Sequence, residues 1–195
     1  MAARLLDFVA AMTRLVNEGP RSEAQMLERA VPLMRALVAE DDWLPEAMTA
    51  THPQYYQQHL LYGDPLDRFS LVSFVWGPGQ KTPVHDHTVW GIIGMLRGAE
   101  CGQRYAPGAE GRLVAHGDEV TLRPGELDIV SPDRGDIHVV RNAFADRVSI
   151  SIHLYGGNIG RIERHVFVPE TGERKNFVSG YSNASTPNLW AREQA

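Results

Sequence analysis

From Phe69 onward the chain breaks into short runs rich in β-branched and aromatic residues: "FSLVSFVW", "VWGIIGML", "EVTLR", "LDIVS", "IHVVRN", "RVSISIHLY" and "RHVFV". Gly, Pro, Asp and Asn punctuate them at the spacing of an antiparallel sandwich or barrel. The expected fold class is therefore mainly β, with the barrel over residues 69–170.

The N-terminal 50 residues have a different period. Leu5, Leu6, Val9, Met12, Leu15 and Val16 recur at helical spacing until Gly19-Pro20 ends the run. A second helix is expected from Ser22, whose hydroxyl can cap the first amides while Gln25 reaches back as in a capping box. Met26, Ala30, Leu33, Leu37 and Val38 form its inner stripe, and Pro32 inside that stripe predicts a kink or a break. These helices are expected to pack outside the barrel. The tail, residues 171–195, contains "NFVSGYSNASTPNLW", in which turn residues separate isolated aromatics, so it reads as an ordered strap across the barrel. At 195 residues and 43% hydrophobic content the whole chain, 1–195, is read as a single domain with a substantial core.

The balance of 24 acidic against 19 basic residues, a formal charge of −5, argues against a nucleic-acid partner. No apolar run approaches the ~20 residues that span a bilayer, so no membrane role is expected. One cysteine, Cys101, excludes an intramolecular disulfide. The expected protein is soluble and cytoplasmic, its partner a small molecule, and its oligomeric state open.

Chemistry concentrates at the histidines. In "GQKTPVHDHTVWGIIGMLRG" His85 and His87 stand at i and i+2, on one face if the segment is a strand. His138, in "GDIHVVRN" on a later run, can reach the same place in an antiparallel barrel. Three neutral imidazoles on one side of a divalent ion leave positions open for substrate, as a catalytic site requires. The first segment reads G-x5-H-x-H-x3-G-x6-G from Gly79 to Gly98, and the second G-x2-H-x3-N from Gly135 to Asn142. Both resemble the signature motifs of the cupin superfamily, a small jelly-roll β-barrel with a metal in its mouth. The usual glutamate ligand of that pattern falls at Gly91, and Pro132 lies one residue further from Gly135 than usual. The resemblance thus implies a three-histidine site. Such a ferrous site keeps its full charge, favours an anion and suits a thiolate together with dioxygen.

A second polar group lies in "SISIHLYGG", where Ser151, His153 and Tyr155 share one strand face and Ile150, Ile152 and Leu154 fill the other. This row is either a hydrogen-bond relay that aims the phenol at the substrate, or a structural ladder with no chemistry. With the histidine motif, the triad makes the chain resemble the thiol dioxygenases, the cupin family of cysteine dioxygenase and 3-mercaptopropionate dioxygenase. The likeness runs from about Tyr55 to the C-terminus. It implies Fe(II) held by His85, His87 and His138, a relay of Ser151, His153 and Tyr155, and oxidation of a small thiol carboxylate by O2 to a sulfinic acid.

Two departures from the animal enzymes bear on substrate. Their crosslinking cysteine is absent, with Gly91 and apolar neighbours in its place and Cys101 too far along. Their upstream arginine is also absent: the region reads "YYQQHLLYGD". Gln58 looks like the matching residue, with Gln57 and His59 one alignment step away, and a glutamine there resembles the bacterial enzymes that act on 3-mercaptopropionate. A carboxylate would then need a guanidinium elsewhere, Arg164 by resemblance, with Arg161 as rival. Three readings follow: 3-mercaptopropionate dioxygenase, cysteine dioxygenase, or a cupin that binds metal or ligand without redox chemistry. Asp86 should point away from the histidine face. His52, His59, His116 and His165 fit no ligand spacing, and Trp76 and Trp90 could line the site or belong to the core.

Overall fold

The computed structural model describes residues 2–19 and 21–190. Helices α1 (Ala2–Asn17) and α2 (Glu23–Val38) precede a short 3-10 turn at Glu46–Thr49 and eleven strands. These are β1 (Gln57–Gly63), β2 (Ser70–Trp76), β3 (Val84–His85), β4 (Gly91–Arg97), β5 (Glu100–Pro107), β6 (Leu113–Leu122), β7 (Leu127–Val130), β8 (His138–Asn142), β9 (Ser149–Tyr155), β10 (Arg164–Val168) and β11 (Glu173–Phe177). They form two antiparallel sheets, ordered β1-β2-β9-β4-β7 and β11-β10-β3-β8-β5-β6. The expected mainly β architecture with external helices is present. None of the described helices is long and apolar enough to cross a membrane.

Every residue of β2 and β9 is buried, because their sheet is covered on both faces. Its outer face, including Leu71, Val75, Ile92, Leu96, Ile150, Ile152 and Leu154, packs with Leu5, Phe8, Met12, Met34 and Leu37 of the helices. Its inner face carries Val72, Phe74, Trp76 and Tyr155. The alternation of strand side chains therefore divides β9 cleanly, with the aliphatic set toward the helices and Ser151, His153 and Tyr155 toward the interior.

Helix α2 starts as expected, with the Ser22 side chain accepting from the Gln25 amide and the Gln25 side chain accepting from the Ser22 amide. The break expected at Pro32 does not occur. The helix runs through it, and Pro32 is exposed while Leu27, Ala30, Met34, Leu37 and Val38 are buried. Burial of that face outweighs one missing backbone hydrogen bond, which a peptide alone could not offset.

Strands of the two sheets also lie outside residues 69–170. The polar sequence of β1, "QQHLLYG", conceals a strand stabilised by its ladder to β2. Likewise "ERKNF" forms β11, an exposed polar edge strand paired with β10 inside what reads as the strap. Helix also covers less of the first 50 residues than its period suggests, since bends replace it after Val38. Ser182 and Asn183 lie along the β1 edge. Asn183 mimics a strand there, its Oδ1 accepting from the Leu60 amide at 2.7 Å and its Nδ2 donating to the Leu60 carbonyl at 2.9 Å. Ser182 does the same at Gln58, which blunts an otherwise open edge. The last residues of the expected strap, 191–195, lie outside the described set.

Candidate active site

His85 and His138 are direct partners across β3 and β8. His87 is not in the strand as expected, because β3 ends at His85 and the chain turns outward at Thr88, whose φ is 58°. Asp136 restores the alignment: its carboxylate accepts from the amides of His87 at 3.0 Å and Thr88 at 2.9 Å. The rings of His85, His87 and His138 then lie 4.8–4.9 Å apart by centroids, all buried. Their ligand nitrogens lie within 4.8 Å of one another.

These donors fit a divalent metal. Burial drives the His85 imidazole down to about 4 and those of His87 and His138 well below their ordinary value, and the neighbouring rings add to the effect on the latter two. All three are therefore neutral near pH 7, with lone pairs to offer. His85 Nδ1 lies 3.0 Å from the Pro83 carbonyl and His87 Nδ1 3.2 Å from that of Asp136, which assigns the proton to Nδ1 and leaves Nε2 for the ion.

The row of Ser151, His153 and Tyr155 is continuous in hydrogen bonds. Ser151 Oγ lies 2.8 Å from His153 Nε2, and His153 Nδ1 lies 2.8 Å from the Tyr155 hydroxyl. Trp76 Nε1 donates to Ser151 Oγ at 3.0 Å, and Phe74 stacks on the His153 ring at 4.0 Å. Tyr155 stacks on His87 with ring centroids 5.6 Å apart, so the outer end of the row reaches the histidine cluster. Burial lowers the His153 imidazole to about 3 and raises the Tyr155 phenol, so both stay neutral. Gly91 makes room for that phenol: a Cβ there would lie 2.9 Å from the Tyr155 ring.

A cavity of about 230 Å³ adjoins His85, lined also by Tyr56, Gln58, Phe74, Thr82, Pro83, Arg164, Val166 and Phe177. Register explains why Gln58 is there. Gln58 pairs with Phe74, which pairs with Ser151, so all share the inner face. Gln57 and His59 pair with Val75 and Ser73 and alternate outward, and His59 Nε2 sits 2.9 Å from the Ala50 carbonyl. Arg164 is 3% exposed, donates to Ser179 Oγ at 2.7 Å and lies over the Phe177 ring at 4.6 Å. Its buried Nε has no partner, and among the described residues no carboxylate pairs with it. Arg161 instead is exposed and lies 3.5 Å from Asp67.

The other histidines lie outside the cluster. Asp86 points away from the cluster and accepts from the His165 amide at 2.7 Å while meeting His165 Nδ1 at 2.7 Å. His52 stacks on Tyr55, and His116 is exposed. Cys101 is buried beside Thr121. Trp76 is fully buried, whereas Trp90 is partly buried against the helix-facing core. Asp136, Tyr56 and Phe177 do not stand out in the sequence. Tyr56 had one signal, its place two residues before Gln58 and so on the same face.

Three buried, neutral imidazoles inside a double-sheet β fold, beside a cavity, define a metal-dependent enzyme of the cupin class. The model of the cysteine dioxygenase type I family matches residues 20–166, and the chain belongs to that family. The family is non-haem iron-dependent, so the chain is an Fe(II)-dependent thiol dioxygenase acting with O2 on a small thiol. It is 24% identical over 185 residues to human cysteine dioxygenase type 1, spanning 92% of this chain and 90% of that protein. The Bos taurus cysteine dioxygenase type 1 is 24% identical over 173 residues, 87% and 84% of the two chains. A cupin superfamily protein from Desulfitobacterium hafniense superposes with a TM-score of 0.45 at 12% identity, over 61% of this chain and 94% of that one.

Proposed function

We propose that this enzyme oxidises 3-mercaptopropionate to its sulfinic acid. The observation that carries this reading is Arg164, a buried guanidinium with an unpartnered Nε beside the histidine cluster. Buried charge calls for a counter-charge, and a substrate carboxylate supplies one with fork geometry. Among the described residues the cavity lining contains no aspartate or glutamate to receive an α-ammonium group, which favours a thiol carboxylate lacking the amine of cysteine. Gln58 contributes an amide where a second guanidinium would over-compensate a single carboxylate.

In this reading His85, His87 and His138 hold the iron, which when bound brings thiolate and dioxygen onto one centre. The chain's own residues do the rest. Arg164 and Gln58 fix the substrate tail, so that the sulfur is held in line with the histidines. Tyr155 donates its hydroxyl proton toward the substrate, oriented by His153 and Ser151. Phe74 and Val166 exclude water from the cavity wall, which strengthens each polar contact.

Oxygen consumption by iron-loaded protein, measured as kcat/KM for 3-mercaptopropionate and L-cysteine, tests the reading. The expected result is a preference for 3-mercaptopropionate of about 10-fold or more, because the α-ammonium of L-cysteine would lose water in the cavity without gaining a carboxylate partner. A preference for L-cysteine would assign the alternative, cysteine dioxygenase.

A further inference from the structure

The relay does not end at Ser151. Glu100, on β5 of the opposite sheet, is 2% exposed and faces Ser151 and the Trp76 indole across the interior. Its Oε2 has no hydrogen-bond partner. The acid therefore sits at the inner end of the row whose outer end is Tyr155, and no lysine or arginine is among the groups that perturb it.

We propose that Glu100 is a positioning residue that closes the buried end of the relay as a neutral acid, donating to Ser151 and so turning the Tyr155 O–H toward the cavity. The proposal rests on the reading of Tyr155 as the group that donates to substrate.

Donor and acceptor counts leave two arrangements. Ser151 has one proton to give and two lone pairs, of which Trp76 takes one. If Glu100 carries a proton, it donates to the other lone pair and the Ser151 proton goes to His153 Nε2. His153 then bears its proton on Nδ1 and donates to the Tyr155 oxygen, and the phenolic proton is free for the cavity. If Glu100 is charged, Ser151 donates to it instead, His153 donates from Nε2, and Tyr155 must donate inward to Nδ1. Both chains satisfy Ser151 and His153, and they run in opposite directions. The surroundings favour the neutral acid. Burial, with Asp128 on β7 adding a like charge, raises the Glu100 carboxyl to about 7 against the pull of Ser151 and Trp76. Arg104 is engaged with Asp128 at 2.7 Å, and His138 lies across a small void from Glu100, neutral itself.

The test is the tautomer of His153, read by long-range 1H–15N correlation on metal-free, histidine-labelled protein. Wild type one pH unit below the value of about 7 should show Nδ1–H, turning to Nε2–H only as Glu100 ionises at higher pH. E100Q, whose amide donates at either pH, should hold Nδ1–H throughout. A wild-type tautomer that is Nε2–H at the lower pH overturns the proposal without reference to any variant. In the iron-loaded enzyme, kcat should fall by about 10²-fold, the low end of what a positioned proton donor contributes, where wild-type His153 turns to Nε2–H, and E100Q should abolish that fall. A kcat that stays level while the His153 tautomer turns over would instead overturn the role given to Tyr155.

Discussion

Asp136 holds His87 twice, its carboxylate accepting the His87 backbone N–H at 3.0 Å and its backbone carbonyl lying 3.2 Å from His87 Nδ1. One residue thus sets both the path of the chain after β3 and the nitrogen that faces the centre. Replacing Asp136 by Ala should lower iron affinity by about 10–100-fold, as loss of such supporting bonds does at other histidine sites. Metal titration monitored by iron retention measures this, and unchanged affinity would show that the turn holds His87 without Asp136.

Gly91→Ala should displace Tyr155. The added Cβ would meet both the Tyr155 ring and Val130 Cγ2 at 2.9 Å, and the ring is locked against His87. The expected effect is a loss of stability of about 1–3 kcal/mol, typical of overpacking, with kcat reduced more than KM is raised. Thermal unfolding and steady-state kinetics separate the two.

Arg164→Lys removes the planar fork and the contact over Phe177 while keeping a positive charge. If the guanidinium binds the substrate carboxylate, kcat/KM for 3-mercaptopropionate should fall by roughly 10²-fold, through KM first, equivalent to about 2–3 kcal/mol of lost charge-assisted hydrogen bonding. Arg161→Lys, exposed and near Asp67, should leave kinetics within experimental error.

His153 makes the metal-free protein sensitive to acid. Burial lowers its imidazole to about 3 in the folded state, against 6.5 when exposed. Below the exposed value the unfolded chain takes up a proton that the folded one refuses, so stability falls as pH drops from 6.5 toward about 3 and is flat for this group above 6.5. Each such group steepens the slope by up to about 1.4 kcal/mol per pH unit. His153→Gln should therefore show a shallower loss of stability in denaturant titrations at descending pH, and identical slopes would remove His153 from the account.

Local periods carry far in this protein. The i, i+2 spacing of Ser151, His153 and Tyr155 needs only a strand to put them on one face, and Ser22 with Gln25 needs only a first helical turn. The class of the fold follows from such short-range geometry repeated along the chain, whereas the histidine cluster also needs the pairing of His85 with His138 and the hold of Asp136 on His87. Other features depend on partners distant in sequence. Strands β1 and β11 are polar and become strands only because β2 and β10 pair with them. Pro32 stays helical because the face around it is buried. Gln58, rather than Gln57 or His59, enters the cavity through its register with Phe74. Asp136 and Glu100 look like ordinary acids until the sheets close around them and bring one to the His87 amide and the other to Ser151. A residue's own sequence neighbourhood determines its face; what that face meets is decided by packing between segments dozens of residues apart.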